Sequence, residues 1–307
     1  VLPWNAIEPL PEMESADPNV APMSVWHLRI ARPHAVSSPS HAPPTPPEPP
    51  RPPAPSKPPA PPKVTLNLKP NAKEGGADQD KQAEEDHTKT LCAACEASLR
   101  RLQTDYIDLY QLHWPDRGWT DFKDLGQTEA IDDTGADRAE TLAALDELMQ
   151  AGKIRSWGIS NESAWGTMDF VARADAAGVA RPASIQNAYS LLNRKFELAL
   201  AEVALRERVG LLAYAPVAAG VLTGKYLDDA RPPGARNTLW PSNTRYFSEQ
   251  ATSATRAYID LAAECGTRPE VLAHAFVLTR PFLTASIVGA TQIWHLERAL
   301  EALNFEI

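Results

Sequence analysis

Cysteine is scarce in this chain: Cys92, Cys95 and Cys265 are the only three in 307 residues. Three thiols cannot build a disulfide framework, so a reducing compartment, and with it the cytoplasm, is the expected setting. Positive charge is short as well. Thirty Lys and Arg stand against 39 Asp and Glu, a net charge of −9. No basic stripe offers itself, which argues against a nucleic-acid binder held by phosphate contacts. No run of about eighteen apolar residues occurs, so no membrane span is expected. Glu8, Glu12, Glu14 and Asp17 precede any arginine, which fits neither a secretory signal nor an acid-poor transit peptide. The chain opens on Val1 rather than Met, as a processed product or a fragment would.

Proline, by contrast, is plentiful at one end. Of the 29 prolines, 21 lie in residues 1–70 and eight in all the rest. Proline lacks a backbone donor and fixes φ, so this density excludes helix and sheet interior. Only Val25–Ile30 has the texture of a short strand. Residues 46–63 repeat with period six, as PPEPPR, PPAPSK and PPAPPK, each unit closing on a cation at Arg51, Lys57 or Lys63. Such a stretch favours an extended polyproline II helix with a solvated backbone. Each unit fits P-x-x-P-x-[KR], a ligand pattern for Src-homology-3-type or WW-type domains. A stiff spacer is the plainer reading of the same composition. Residues 70–89 are polar, carry Gly75-Gly76 and read as linker. Residues 1–88 are therefore expected to be disordered, with folded sequence from 89 to 307.

From Thr90 the texture changes. Leu91, Cys95, Leu99 and Leu102 recur at helical spacing, the signature of one buried helix face. Tyr106–His113 (YIDLYQLH) reads as a buried strand stopped by Trp114-Pro115. Helices are expected near 140–150, 163–177, 194–208, 248–264, 268–278 and 293–303. Strands are expected at 154–160, 183–189, 210–215 and 285–289, with a long loop from 216 to about 245. Strands alternating with helices imply parallel βαβ units, five strands in all.

In a parallel βα barrel the active site forms at the C-terminal strand ends. The residues there are His113, Ser160-Asn161, Gln186-Asn187, Tyr214-Ala215 and Gly289-Ala290-Thr291. The last is a glycine turn opening a helix, an arrangement suited to an anion. Ala219–Lys225 (AGVLTGK) adds two glycines and a lysine after another strand, without the spacing of a triphosphate loop. Each of these has an ordinary rival. His113 and Tyr214 could serve packing, Ser160-Asn161 could cap a helix, and Gln186-Asn187 could be loop polar groups. Cys92 and Cys95 form a C-x-x-C, but a zinc site needs two further ligands in register and none is evident, so no metal is expected. Cys95 belongs to the apolar stripe, and both thiols read as structural.

Five runs resemble the aldo-keto reductases: SLRRLQTDYIDLYQLHWPDR, GKIRSWGISNESAWG, IQNAYSLLNR, LLAYAPVAAGVLTGKY and IVGATQIWHLERALEAL. They occur in that family's order and spacing over about residues 89–307. The resemblance implies an α/β fold, the (β/α)8 TIM barrel, here incomplete with five recognisable βα units behind the proline-rich segment. It implies NAD(P)H-dependent reduction of a small carbonyl substrate, usually with NADPH (NADP) as cofactor. His113 matches the histidine that orients the carbonyl. Ser160, Asn161 and Gln186 match the grip on the nicotinamide carboxamide, and Tyr214 the aromatic that stacks on the ring. Ala215, Pro216, Val217, Leu222, Gly224 and Lys225 match the loop over the pyrophosphate. Gly289, Ala290 and Thr291 match the turn near the adenosine ribose, and His295 stands among the adenosine-side positions.

The departures from the family pattern matter as much. The family's first three βα units carry an aspartate, a tyrosine that acts as general acid and a lysine that lowers its pKa. Residues 1–89 show none of those motifs and no tyrosine at all, since the first of seven is Tyr106. Where the family places Gln, Glu and Asn near the adenine, this chain has His295, Arg298 and Ala299, which leaves NADPH against NADH undecided. The chain also stops at Ile307, without the family's C-terminal tail. Loss of a general acid typically costs about 10²–10⁴-fold in rate, so little or no reductase activity is expected. A misassembled gene, a degenerate enzyme and a barrel completed by a partner all fit this pattern. So does a non-catalytic interaction protein with a proline-rich arm that binds the cofactor alone.

Overall fold

The computed structural model describes residues 80–117, 135 and 137–307, with side chains from residue 88 onward. The proline hexads, the expected strand at 25–30 and most of the expected substrate-side loop at 114–139 lie outside these residues. Strand and helix alternate along most of the described chain. Helix α1 (Asp80–Leu102) leads to β1 (Ile107–Leu112), α2 (Arg138–Gln150), β2 (Ile154–Ser160), α3 (Ala164–Ala177), β3 (Ser184–Ala188), α4 (Leu200–Glu207) and β4 (Gly210–Tyr214). After a connection that holds the single turn α5 (Arg236–Leu239) come α6 (Glu249–Glu264), α7 (Pro269–Leu278), β5 (Leu283–Ser286) and α8 (Ile293–Glu301). The strands form one parallel sheet in the order β1-β2-β3-β4-β5. This is a run of five successive βα units of a (β/α)8 barrel, with β1 and β5 at the two edges among the described residues.

Local chemistry sets the helix limits. Asp137, Ser163 and Ser248 accept main-chain N–H bonds at the starts of α2, α3 and α6, each removing one of the orphan donors of a helix start. Gly178 closes α3 at φ 69°, where a side chain would be strained. Side chains alternate across the sheet. Tyr110, Trp157, Ile159, Ile185, Leu211 and Ala213 face the helices and fuse with Cys95, Leu145, Phe170 and Phe276 into one large core. Trp157 is 1% exposed, meets Phe170 edge-on at 5.7 Å and donates its indole N–H to the Ala180 carbonyl at 2.9 Å. The opposite face is more polar, with Gln111, Ser160, Ser184 and Gln186 along its middle and upper rows.

Four expectations shift. Helix α1 begins at Asp80, ten residues inside the expected linker, because residues 80–89 hold no glycine or proline and are rich in helix-compatible Lys, Gln, Ala and Glu. The helix expected at 194–208 is two pieces, a 3₁₀ turn at Lys195–Leu198 and then α4. Glu197 is drawn to the Tyr189 hydroxyl and to Arg194, which holds the first turn tight and breaks the backbone at Ala199. Strand β5 starts and ends earlier than expected, because the β4–β5 register shifts and leaves Thr284 without a partner on β4. The expected loop after β4 contains 3₁₀ turns at Ala218–Thr223 and Leu227–Asp229 as well as α5.

Candidate active site

The upper rim of the sheet gathers polar side chains from four strand ends. Asn161 is the hub. It follows β2 with φ 56°, a left-handed backbone that Asn tolerates better than most residues. That turn brings its amide over the rim. Its Nδ2 donates to the His113 carbonyl at 2.9 Å and to Ser160 Oγ at 3.2 Å, and its Oδ1 accepts from the Tyr214 hydroxyl at 2.8 Å. Ser160 donates its own hydroxyl to the Gln186 carbonyl at 2.7 Å, while the Asn161 N–H reaches the same oxygen at 3.1 Å. Five sequence-selected residues (His113, Ser160, Asn161, Gln186 and Tyr214) thus form one connected network, and His113 and Ser160 line a small cavity with Trp114 and Glu162.

After Tyr214 the chain bends sharply. Ala215, Ala218, Ala219, Gly220 and Gly224 all have positive φ. Ala215 and Val217 carbonyls close the turns by accepting from Ala218, Gly220 and Leu222. Leu222 is fully buried and packs with Val221, Tyr226 and Tyr246, while Val217 packs at the edge of that cluster. Both hold the loop's shape. A Cβ at Gly220 would come within 2.9 Å of Lys225 Cε, so glycine there lets the Lys225 stem fold back across the loop. Lys225 also lies 5.3 Å from the Tyr226 ring centre.

A second basic side chain comes from the far edge. Gly289-Ala290-Thr291 turns into α8, and the Thr291 N–H donates to His295 Nδ1 at 3.2 Å. Burial first and the nearby Lys225 charge second hold the His295 imidazole below its ordinary pKa. The two segments, far apart in sequence, therefore place two basic groups close together at one end of the rim. Pro216 links the Tyr214 strand end to this loop, and Ala290 is half-exposed in its turn.

Four residues near the rim were not legible from the sequence. Gln111 of β1, 2% exposed, donates Nε2 to Gln186 Oε1 at 2.7 Å. A polar residue near the end of a mostly apolar strand was its only signal. Arg117 and Glu162 form a buried ion pair just below the rim, their side chains 3% and 2% exposed, and Arg117 also donates to Ser163 Oγ at 3.0 Å. Arg245 donates to the Tyr214 hydroxyl at 3.3 Å. The last two pairings span 45 and 31 residues, and nothing local announces them. The thiols lie elsewhere. Burial, with a smaller contribution from Glu96, pushes Cys95 up to about 11, so it is inert at neutral pH.

Comparison with known proteins agrees with the fold. A family model described as the Aldo/keto reductase family matches residues 57–307. Protein tas of Escherichia coli is 47% identical over 219 residues, 71% of this chain and 63% of that protein. An aldo-keto reductase of Babesia bovis is 42% identical over 220 residues, 67% of this chain and 77% of that protein. A protein of Escherichia coli named NADH-specific methylglyoxal reductase is 28% identical over 212 residues, 69% of this chain and 58% of that protein. The chain therefore spans somewhat under two thirds of the length of the tas protein.

Proposed function

The chain belongs to the aldo/keto reductase family, and from that premise we propose that these 307 residues bind NADP(H) along the C-terminal rim of the sheet and reduce small carbonyl compounds weakly or not at all. The observation that carries the binding half is the convergence of Ser160, Asn161, Gln186 and Tyr214 in one network at the strand ends. The residues suit the group. Gln186 is half-exposed at the rim. At the other end, burial first and the Lys225 charge second hold the His295 imidazole below its ordinary pKa, and a phosphate there would offset the second of these.

Bound there, the cofactor supplies the hydride. The protein's part is to hold, orient and hydrogen-bond. Gln186 faces the carboxamide with its amide. Asn161 and Ser160 would hold the carboxamide at the rim, and Tyr214 would supply the aromatic face for the nicotinamide ring. Such stacking selects the ring face that points at the substrate. Lys225, the Thr291 turn and His295 take the phosphate end. His113, whose main chain Asn161 holds, would donate from its imidazole to a substrate oxygen.

The reading of weak or absent turnover rests on residues 1–89, which hold no tyrosine and show none of the motifs that carry the family's Asp, Tyr and Lys; proton delivery is worth about 10²–10⁴-fold. The test is a titration with NADPH read by tryptophan fluorescence, followed by an assay with 4-nitrobenzaldehyde. Quenching with turnover below about 0.1 s⁻¹ is the expected result. Turnover near 10 s⁻¹, a common enzyme value, would overturn the impaired-activity reading, and an unquenched titration would overturn the binding.

A further inference from the structure

Asn161 sits on a left-handed backbone at φ 56°, a conformation that a residue with a side chain keeps only where its surroundings hold it. The holding groups lie on both flanks. Ahead of the turn, the Asn161 N–H donates to the Gln186 carbonyl at 3.1 Å. Behind it, Glu162 is pinned through main chain and side chain. Its carbonyl accepts from Asn187 Nδ2 at 3.1 Å. A main-chain carbonyl can only accept, so the direction of that bond is fixed. Its carboxylate accepts from Arg117 through both oxygens, Nη1 to Oε2 at 2.7 Å and Nη2 to Oε1, and from the Ser163 N–H at 2.6 Å.

The two charged side chains are 3% and 2% exposed. Burying both costs desolvation that their attraction barely offsets, so an apolar pair of like size would serve packing as well or better. The neighbourhood makes room for the charges all the same. A Cβ on Gly166 would fall 2.2 Å from Glu162 Oε1 and 2.7 Å from Arg117 Nη2, so the first turn of α3 keeps a glycine there. Arg117 also donates at 3.0 Å to the hydroxyl of Ser163, the residue that caps that helix. Upstream of Arg117, the His113 carbonyl accepts from Asn161 Nδ2 at 2.9 Å. Segments 113–117 and 161–163 are therefore tied twice, once through Asn161 and once through its neighbour Glu162.

We propose that Arg117 and Glu162 are positioning residues: their buried ion pair holds the Asn161 turn in the conformation that grips the nicotinamide end of the cofactor. This rests on the cofactor reading above. The fork of Arg117 matters, because paired bonds fix the carboxylate in orientation as well as in place. The pair acts through Asn161. The adenosine end of the cofactor, assigned to Lys225 and the Thr291 turn, does not depend on it.

Calorimetric titration of the full chain with two ligands tests this. NADP⁺ carries both ends of the cofactor, and adenosine 2′,5′-bisphosphate carries the adenosine end alone. The first variant combines Arg117→Met with Glu162→Leu, which removes both charges together and strands neither. It melts close to the unaltered chain or above it, because such an exchange is neutral or stabilising. It binds NADP⁺ about tenfold more weakly, the usual scale for one lost hydrogen-bonding group, and the bisphosphate within about twofold of the unaltered chain. Arg117→Lys keeps the charge and loses the fork, and its NADP⁺ affinity lies between the two. An unchanged NADP⁺ affinity in the double variant overturns the proposal, and so does an equal loss for both ligands, which a merely structural pair would give. Should the double variant fail to fold, Arg117→Lys decides by the same comparison. An unaltered chain that binds neither ligand, or NADP⁺ no more tightly than the bisphosphate, removes the nicotinamide-end reading itself, and the proposal falls with it.

Discussion

His274 lies on α7, 5% exposed, between Ala273 and Ala275 on the buried side of that helix. Desolvation is the one cause acting on it, and it pulls the imidazole down to about 4 from an ordinary 6.5. The unfolded chain therefore takes up a proton that the folded chain refuses, over the window from pH 6.5 to pH 4. Stability is complete above 6.5, falls as the pH drops through that window and levels off below 4. The loss is on the order of 3 kcal/mol, from about 1.4 kcal/mol for each tenfold change in proton affinity. Urea unfolding at pH 7, 5.5 and 4 should show this decline, and His274→Met should flatten most of it. Equal slopes in the two proteins would remove His274 as the cause. The residue scale also shows the limit of reading from sequence. Ser160, Asn161, Gln186 and Tyr214 could be picked out because strand ends are where such side chains become useful. Gln111 could not, because polar residues on strands most often face solvent, and only the folded sheet shows its amide turned toward Gln186.

Strand β5 displays how a single contact shapes an element. Opposite the register shift between Leu211 and Leu212, Thr284 is displaced toward Gly210. A Cβ on Gly210 would fall 1.9 Å from Thr284 Oγ1 and 3.2 Å from Thr284 Cβ. Glycine is needed there to let the bulged residue in. Gly210→Ala should cost about 1–3 kcal/mol, and Thr284→Ala in the same chain should recover part of that loss, since the closer obstacle is its side-chain oxygen. A thermal melt series of the two single variants and the double variant measures this coupling. Simple additivity would show that the two residues do not oppose each other. The sequence carried the strand itself but not the bulge, which is why the expected β5 sits too far along the chain. Helix α1 escapes a compositional reading for a related reason. Charged residues 80–89 have the composition of a linker, yet nothing in them stops a helix that starts downstream from extending backward. The split before α4 depends on the Tyr189–Glu197 bond, eight residues apart and invisible to periodicity.

At the scale of the molecule, the helix-facing residues of β1 to β4 meet α1, α2, α3 and α7 in a single apolar cluster. Shared burial of this kind couples the units energetically, so none is expected to melt alone. Scanning calorimetry of the full chain should give one transition whose calorimetric and van't Hoff enthalpies agree. Two resolved transitions would mean that the βα units on either side of β3 are held together less tightly than their common core implies. The alternating pattern made the parallel sheet legible from the start, because short hydrophobic runs separated by amphipathic helices allow little else. What could not be read was which side chains on the polar face would meet, since each such pair comes from strands dozens of residues apart.

The monotonic strand order has a further consequence, for how the protein is made. Each strand from β2 onward hydrogen-bonds to the strand immediately before it in the chain. A ribosome releases sequence in that same direction, so every new strand emerges with its template already outside the tunnel. Growth of the sheet can keep pace with translation, one βα unit at a time, and the order of synthesis becomes the order of assembly.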